Sequence, residues 1–268
     1  MKIISLNTFG GTVYEPLLAF IRKHMADTDV FCLQEMYQAG KFEGPTSPKG
    51  IRMNLLEELS IILTDFTVHF APTQDDFDIP KKEAVQTTLG TAIFIKKGLS
   101  IIETGDFFLV NGRNTYDGND DLTMGYNASF ITIENSGAPL TIVGLHGIAS
   151  PYHKQDTSMR IEQSRRVIDF LKNRAGEKIV MGDFNLDLET ESVKMIERAG
   201  FRNLIRDFNI TTTRGTHVRT LFPHYADGPY GFQEFADYTF VSSGIHVKTF
   251  EVPDEPVSDH LPMILTMG

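Results

Sequence analysis

Short apolar runs of strand length recur along the whole chain, and this pattern limits the possible folds more than any other feature. The runs are rich in Ile, Val, Phe and Thr and are bounded by Gly, Asp, Asn or Pro, which is typical of strands in a buried sheet. They are Lys2–Asn7, Thr28–Glu35, Thr91–Lys96, Asn127–Ile133, Leu140–His146, Lys178–Asp183, Tyr238–Val241 and Pro262–Leu265. A chain with so many such runs is predicted to fold around extensive β-sheet.

Fewer segments have the spacing of helices. Their apolar residues recur every three or four positions, which predicts surface helices that each lay one stripe on a sheet. They are Tyr14–Met25, Ile51–Leu63 and Ser158–Asn173. Stretches rich in Gly, Pro and polar residues predict loops, and these are Gly40–Gly50, Asn111–Asp121 and Thr211–Gly231. Strands interspersed with helices predict a layered α/β protein, and we expect one domain over residues 1–268.

The composition is that of a globular protein and excludes several classes. Hydrophobic residues make up 41% and charged residues 22% of the 268 positions, which excludes an extended disordered chain. The single cysteine, Cys32, has no partner for an intramolecular disulfide, and the first apolar run is too short for a secretory signal. No run approaches the roughly 18 apolar residues of a membrane helix. We therefore expect a cytoplasmic protein without stable membrane association, and nothing in the sequence indicates a protein partner.

The chain is acidic. Its formal net charge is −10, because 35 Asp and Glu oppose 25 Lys and Arg. This balance argues against a partner held by bulk charge alone, such as nucleic acid or an anionic membrane. Three arginines gather on the third predicted helix, Arg160, Arg165 and Arg166, and we interpret them as a solvated face.

Several of the apolar runs end abruptly in acidic, amide or imidazole side chains. Taken singly, each of these residues is an ordinary turn, cap or rim residue. At the end of a buried strand, however, such a group is costly to desolvate unless it is paired or binds a cation. The residues at these ends are Asn7, Glu35, His146, Asp183, Asn185, Asp237, Asp259 and His260. Because so many occur in one chain, we predict that they form one site.

Three motifs in this order and spacing resemble those of the endonuclease/exonuclease/phosphatase superfamily. They are Leu33-Gln34-Glu35, Gly182-Asp183-Phe184-Asn185 and Ser258-Asp259-His260. The superfamily includes exonuclease III-like repair nucleases, pancreatic-type deoxyribonuclease, neutral sphingomyelinases and inositol polyphosphate phosphatases. The resemblance spans essentially the whole chain and is specific for the superfamily, but weak for any one subfamily. It implies a four-layered αββα sandwich, in which helices flank two packed mixed β-sheets and the site lies at one edge between the sheets.

The resemblance implies a metal-dependent phosphoester hydrolase. Carboxylate and amide oxygens suit Mg²⁺, or else Mn²⁺, because both are hard cations. Glu35 is the best candidate ligand, and Asn7 and Asp259 are predicted to be ligands or water-mediated supports on either side. A single ion and a pair of ions roughly 3.5–4 Å apart are both compatible with this set.

Hydrolysis of a phosphoester also needs an aligned water and groups that stabilise the phosphoryl oxygens. By the resemblance, Asp183 orients or deprotonates the water and Asn185 holds a phosphate oxygen through its amide N–H. His260 contacts the scissile phosphate as a donor or proton shuttle. Asp237 hydrogen-bonds this histidine, which fixes its tautomer and raises its pKa. His146 stands where family members place a His or Tyr that touches the phosphate or assists the leaving group.

The sequence indicates the type of reaction more clearly than it indicates the substrate. Asn127 stands where several family members carry an arginine, and we predict that it contacts the substrate together with Arg214 of the late loop. The chain has no Trp, although exonuclease III-like enzymes often use tryptophan near the abasic pocket, and its loops offer few cations for gripping DNA.

We therefore favour a phosphodiester or phosphomonoester on a small or single-stranded substrate. A DNA nuclease or DNA-repair phosphodiesterase is the alternative within the enzymes. A non-catalytic binding module of the same fold is the second alternative, and the intact set of acids and histidine argues against it.

Overall fold

The computed structural model describes residues 1–39, 50–75, 87–215, 217 and 229–268. Its strands are β1 (Lys2–Asn7), β2 (Val30–Ala39), β3 (Phe66–Asp75), β4 (Thr87–Lys96), β5 (Ile101–Val110), β6 (Tyr126–Asn135), β7 (Ala138–His146), β8 (Glu177–Asp183), β9 (Phe201–Asn203), β10 (Asp237–Ser242), β11 (Val247–Glu251) and β12 (Met263–Met267). Its α-helices are α1 (Tyr14–His24), α2 (Leu55–Ile62), α3 (Ser158–Lys172), α4 (Glu191–Arg198) and α5 (Leu204–Asp207). Every strand and helix predicted from the sequence is present. Most of the predicted loop Gly40–Gly50, and much of Thr211–Gly231, lie outside the described residues.

The strands form two sheets of six strands each. Their order is β11-β12-β1-β2-β4-β3 in the first sheet and β5-β6-β7-β8-β10-β9 in the second. One inner pair of each sheet is parallel, β1 with β2 and β7 with β8, whereas the other pairs are antiparallel. Both sheets are therefore mixed, as expected.

Side chains of an inner strand point alternately to its two faces, and both faces are packed against other elements, so these strands are apolar throughout. In β2, Val30 and Cys32 belong to the core between the sheets, whereas Phe31 and Leu33 pack with α1 and α2. The helices α3 and α4 add their own apolar stripes to the core of the second sheet, for example through Val167. The layers thus run helix, sheet, sheet, helix, which confirms the four-layered αββα sandwich.

The parallel pairs bring their carboxyl ends together. Asn7 closes β1 opposite Gln34 of β2, and His146 closes β7 opposite Asp183 of β8. The two sheets meet at this edge, because the Asn7 amide donates a hydrogen bond to Asp183 across the interface. Strand β10 begins here as well, since Asp237 pairs directly with Asp183. The fold therefore collects the polar strand ends at one edge between the sheets.

Four strands were not predicted from the sequence, and they are the four edge strands of the two sheets: β3, β5, β9 and β11. Edge strands keep one flank in solvent, and β5 begins with four exposed residues. The short helices α4 and α5 were also not predicted. No helix among the described residues is long and apolar enough to cross a membrane. The single domain over residues 1–268 stays a prediction.

Candidate active site

A pocket of about 450 Å³ opens at the edge where the strand ends meet. One part of its lining is ionic or amide in character and the other is aromatic or apolar. The polar lining comprises Glu35, His146, Lys154, Asp183, Asn185, Arg214, Gln233, Asp259 and His260. The remaining lining residues include Phe9, Tyr37, Leu89, Met124, Tyr126, Tyr152, Tyr230 and Phe232. Seven of the ten predicted site residues line this pocket.

Glu35 reaches the pocket through an irregularity in β2. The pairing of β2 with β4 shifts between Leu33 and Met36, which marks a β-bulge. Glu35 has a φ of 54°, a left-handed conformation that non-glycine residues seldom adopt. The bulge turns a residue that follows a buried apolar run toward the site, where its side chain keeps about a quarter of its surface exposed.

Asn7 joins the two sheets at the base of the pocket. Its amide nitrogen donates to Glu35 Oε1 and to Asp183 Oδ2, each at 3.0 Å, and its Oδ1 accepts from the backbone N–H of Phe9. In this arrangement Asn7 orients two carboxylates. Its role as a direct metal ligand stays a prediction.

The Gly-Asp-Phe-Asn turn fixes Asp183 and Asn185 together. The Asp183 carboxylate accepts from the Asn185 backbone N–H at 2.8 Å, and Asn185 adopts a φ of 55°. The Asn185 amide donates to the Gly147 carbonyl and to Asp183 Oδ2. Its Oδ1 accepts from the Lys154 ammonium at 2.8 Å. A phosphate contact by this amide, as predicted, would require exchange of one of these hydrogen bonds.

An acid–histidine pair lies beside Asp183. His260 Nδ1 is 2.7 Å from Asp237 Oδ2, and His260 Nε2 is 3.6 Å from Asp183 Oδ2. Asp183, Asp237 and His260 form a compact buried group whose ligand atoms lie within 4.8 Å of one another. The predicted contact between Asp237 and His260 is thus present. Burial and Arg214 lower the pKa of His260, but the three surrounding carboxylates outweigh them and raise it above its usual value.

Arg214 lies inside the site and is buried. Its guanidinium donates to Asp259 Oδ2 at 3.0 Å and contacts His260 Nε2 at 2.5 Å. A guanidinium is a donor only, so this contact is a hydrogen bond when His260 is neutral, with Nε2 accepting and the Nδ1 proton toward Asp237. The predicted substrate contact of Arg214 stays a prediction, but its place in the pocket is compatible with it.

His146 faces the same carboxylates from the second sheet. Its Nε2 is 3.7 Å from Glu35 Oε1 and 3.8 Å from Asp183 Oδ2. The ring makes an edge contact with Tyr126, with the ring centres 5.5 Å apart. His146 therefore lies within reach of a group bound between Glu35 and Asp183.

Burial disfavours the ionised form of both Asp183 and Glu35, but their pKa values shift in opposite directions overall. Desolvation would raise the pKa of Asp183, but the charges of His260, Lys154 and His146 lower it to about 2, so Asp183 is ionised at neutral pH. Desolvation raises the pKa of Glu35, and the nearby charge of Asp259 raises it further. Two carboxylates that disfavour each other's charge are stabilised by a cation between them.

The donor set therefore fits a hard divalent cation. Glu35 and Asp259 both line the pocket, and carboxylate oxygens are the ligands that Mg²⁺ and Mn²⁺ prefer. Burial is the main reason that the pKa of Glu35 is raised, and a cation bound beside it would favour the ionised carboxylate. The Asp237–His260 pair is instead held by its own hydrogen bond, which suits proton handling better than metal binding.

One residue of the pocket was not among the predicted site residues, and the environment of one arginine outside the pocket was predicted wrongly. Lys154 lines the pocket, is 7% exposed and contacts Asn185. It lies in a turn outside any helix or strand, so the pattern of strand ends did not indicate it. Arg160 was expected on a solvated face, and this was wrong. Its side chain has no exposed surface, and its guanidinium donates to the carbonyls of Ile148, Ala149 and Gln155.

Asn127 does not lie in the pocket, contrary to the prediction that it contacts the substrate. The side chain is completely buried between the sheets. Its amide donates to the Ala71 carbonyl at 3.0 Å, and its oxygen accepts from Thr91 at 3.3 Å. A side chain without exposed surface, with its polar atoms satisfied, links β6 to β3 and β4 and has no access to a ligand.

The architecture and the convergence of acids and histidines define a phosphoesterase fold. The family model for the Endonuclease/Exonuclease/phosphatase family matches residues 4–260. The chain belongs to this family. No curated protein sequence matches it closely enough to be informative.

Solved structures with the same fold share little sequence with this chain. A mannosyl-6-phosphatase of Bacteroides thetaiotaomicron VPI-5482 is 17% identical with a TM-score of 0.70, covering 100% of this chain and 99% of that chain. A family protein from Leptotrichia buccalis C-1013-b is 18% identical with a TM-score of 0.70, at 100% and 99% coverage. TDP2 of D. rerio, complexed with single-strand DNA product, is 16% identical with a TM-score of 0.68, at 100% and 98% coverage. These likenesses extend to the fold alone.

Proposed function

We propose that this protein is a Mg²⁺-dependent phosphoester hydrolase, with Mn²⁺ as an alternative ion. The observation that carries the proposal is the convergence of Glu35, Asp183, Asp259 and His260 on one pocket from both sheets, with Asp237 bound to His260 behind it. Burying four carboxylates near one another is unfavourable unless cations compensate them. A structural role alone gives no reason for that arrangement.

Glu35 and Asp259 would hold the cation, with Asn7 orienting Glu35. When bound, the ion would neutralise charge on the phosphoryl oxygens and the leaving oxygen. This assignment leaves Asp183 and the Asp237–His260 pair for the water and the proton.

Asp183 would orient the attacking water. It is ionised at neutral pH, and Asn7 and Asn185 hold its carboxylate through three hydrogen bonds. His260 would contact the scissile phosphate, with its Nδ1 proton held toward Asp237. His146, at the end of β7 in the second sheet, would face the leaving group.

The preferred substrate is a phosphodiester or phosphomonoester on a small or single-stranded molecule. The net charge of −10 gives little long-range attraction for a duplex, so phosphate recognition would be local. Aromatic residues such as Tyr152 and Tyr230 line the same pocket and suit an organic group beyond the phosphate. The Bacteroides neighbour is named as a mannosyl-6-phosphatase, which accords with a small phosphomonoester. TDP2 is named in complex with a single-strand DNA product, which makes a nuclease activity the alternative.

The first test is a substrate panel. p-Nitrophenyl phosphate and bis-p-nitrophenyl phosphate are assayed with Mg²⁺, with Mn²⁺ and with EDTA, beside sugar phosphates, nucleotides and single-stranded DNA. We expect turnover that requires the divalent ion and is abolished by EDTA. Absence of turnover on the whole panel would favour the binding-module alternative. Nicking of supercoiled plasmid, with and without an abasic site, tests the nuclease alternative.

Asp183→Ala and His260→Ala test the assigned roles. We expect each to lower kcat by about 10²- to 10⁴-fold, because each removes a group aligned with the reacting atoms. His246→Ala and Asp169→Ala are the matched controls, since both side chains are exposed and lie outside the pocket. Thermal unfolding is measured in parallel. If the two pocket variants unfold while the controls do not, the residues are structural and the assignment fails.

A further inference from the structure

Lys154 brings a buried positive charge to the pocket. Its side chain is 7% exposed and lines the cavity together with Asp183 and His260. Its ammonium donates to Asn185 Oδ1 at 2.8 Å. Burying an ammonium costs free energy, so a lysine in such a place needs compensating partners or a ligand.

The ammonium has donors to spare. It carries three N–H groups, and Asn185 accepts one of them. Within the described ranges, no other hydrogen bond or ion pair forms at Nζ. The other strong cation of the pocket, Arg214, is bound to Asp259 and His260. Lys154 is therefore the cation best placed to meet an incoming anion.

The turn that carries Lys154 is held rigidly. Arg160, with no exposed surface, donates to the carbonyls of Ile148, Ala149 and Gln155 on both sides of the turn. The backbone of Lys154 has a φ of 52°, and its carbonyl accepts from the Asp187 N–H at 2.7 Å. A left-handed backbone at a non-glycine residue persists only where surrounding contacts impose it. The fold thus fixes the direction in which this lysine enters the site.

We propose that Lys154 binds a non-bridging oxygen of the substrate's phosphoryl group. This inference rests on the proposed phosphoester hydrolase and names a binding residue that the family motifs did not indicate. The competing interpretation is that Lys154 only holds the Asn185 side chain in place. The two differ in one property, because an anion needs the charge whereas Asn185 needs only a hydrogen-bond donor.

The variants Lys154→Met and Lys154→Gln separate these interpretations. Methionine removes both the donor and the charge, whereas glutamine keeps an N–H donor for Asn185 and removes the charge. Lys172→Met is the matched control, because Lys172 is exposed and lies outside the pocket. The readouts are the inhibition constant of inorganic phosphate and the KM and kcat for p-nitrophenyl phosphate.

We expect both pocket variants to raise the phosphate inhibition constant and the KM by about 10- to 100-fold, which is typical for loss of a charge-assisted hydrogen bond. Bis-p-nitrophenyl phosphate carries one negative charge fewer, so its KM should rise less. Lys172→Met should match the wild type. If Lys154→Gln keeps the wild-type phosphate constant, or both variants do, the proposal is overturned.

A measurement on the unaltered protein covers the case in which the variants fail to fold. Carbamylation of Lys154 by cyanate is followed by mass spectrometry with Mg²⁺ present, with and without saturating inorganic phosphate. Phosphate should slow labelling of Lys154 at least about fivefold and leave Lys172 unchanged, because a bound anion blocks the amine and raises its pKa. Equal labelling in both conditions would contradict phosphate binding at Lys154. This result does not depend on turnover, so it is distinct from failure of the proposed hydrolase activity.

Discussion

Lys154 and Asp183 carry opposite charges in one buried pocket. For both residues, burial has a larger effect on the pKa than any single neighbouring charge. Burial lowers the pKa of Lys154 to about 8, with Arg214 acting in the same direction and the carboxylates of Asp183, Asp237 and Asp259 opposing it. For Asp183 burial is again the largest single effect, but the neighbouring cations together outweigh it and lower the pKa to about 2. The fold thus disfavours the charged form of Lys154 on balance, whereas the neighbours of Asp183 favour its ionised form. A buried charge that the fold disfavours is expected where function requires it.

The Lys154 charge should be visible in stability as a function of pH. In the unfolded chain this lysine titrates near its usual value of 10.5, whereas in the folded protein it titrates at about 8. Between these values the unfolded state binds more protons, so the free energy of unfolding rises with pH. Below pH 8 the charged form is buried at a cost, and Lys154→Met should be more stable than the wild type by up to about 3 kcal/mol.

Chemical unfolding of the wild type and Lys154→Met at pH 7, 8, 9 and 10 measures this difference. The advantage of the variant should shrink steadily between pH 8 and pH 10. The difference between the two proteins removes the contributions of other groups that titrate in this range to the free energy of unfolding. A difference that is constant with pH would mean that Lys154 keeps its ordinary pKa in the fold.

At the scale of elements, the parallel pair β7–β8 positions His146 opposite Asp183, and its close spacing depends on Gly182. A Cβ at Gly182 would lie 2.2 Å from the backbone oxygen of Leu145, and the residue has a φ of 139°. Backbone on the neighbouring strand has little freedom to move aside. The glycine that precedes Asp183 therefore sets the distance between the two strands that carry the site.

Gly182→Ala should destabilise the protein by about 2 to 5 kcal/mol, as the sum of backbone strain and overpacking. Gly98→Ala is the matched control, because Gly98 also has a positive φ of 97° but nothing within 4 Å of its added Cβ. The control should lose only about 1 to 2 kcal/mol. Urea unfolding measures both values. Equal losses would show that strain alone, and not strand spacing, explains the effect.

Whether a strand is an inner or an edge strand explains whether it could be predicted from the sequence. Inner strands such as β1 and β8 are buried on both faces, so they are continuous apolar runs that can be recognised locally. The edge strands β3 and β5 face solvent along one flank, and their sequences mix polar with apolar residues. Their strand state depends on pairing with an inner strand. Local sequence does not contain that partner.

At the scale of the whole molecule, the net charge of −10 is partly concentrated at one site. Glu35, Asp183, Asp237 and Asp259 contribute four of the acidic groups to a single pocket or its base. A bound divalent cation would reverse the local field there while the remaining surface stays acidic. Cation binding should therefore couple to the stability of the whole fold.

Mg²⁺ at a concentration of about 100 times its Kd should stabilise the protein by about 2.7 kcal/mol, which corresponds to a rise of about 5 to 10 °C in Tm. Glu35→Gln should lose most of this rise. The same variant should be somewhat more stable than the wild type without metal, because burial raises the pKa of Glu35 and a neutral side chain avoids that cost.

Scanning calorimetry with Mg²⁺, with EDTA and with NaCl at equal ionic strength measures these shifts. Glu134→Gln, an exposed glutamate outside the pocket, is the matched control and should behave as the wild type does. An equal Mg²⁺-dependent rise in Glu35→Gln would exclude Glu35 from the cation site.

The sequence by itself determined the layered fold, the family and most of the polar residues that line the pocket. Buried strands and their polar ends are local patterns, and the motifs around Glu35, Asp183 and His260 lie at such ends. Only the tertiary structure decided that Asn127 is a buried link between sheets, that Arg160 supports a turn, and that Lys154 enters the pocket. The reason is that the burial and partners of these side chains depend on residues that are distant in the chain. Their charge and polarity are visible in the sequence, but their solvent exposure is decided when the two sheets meet.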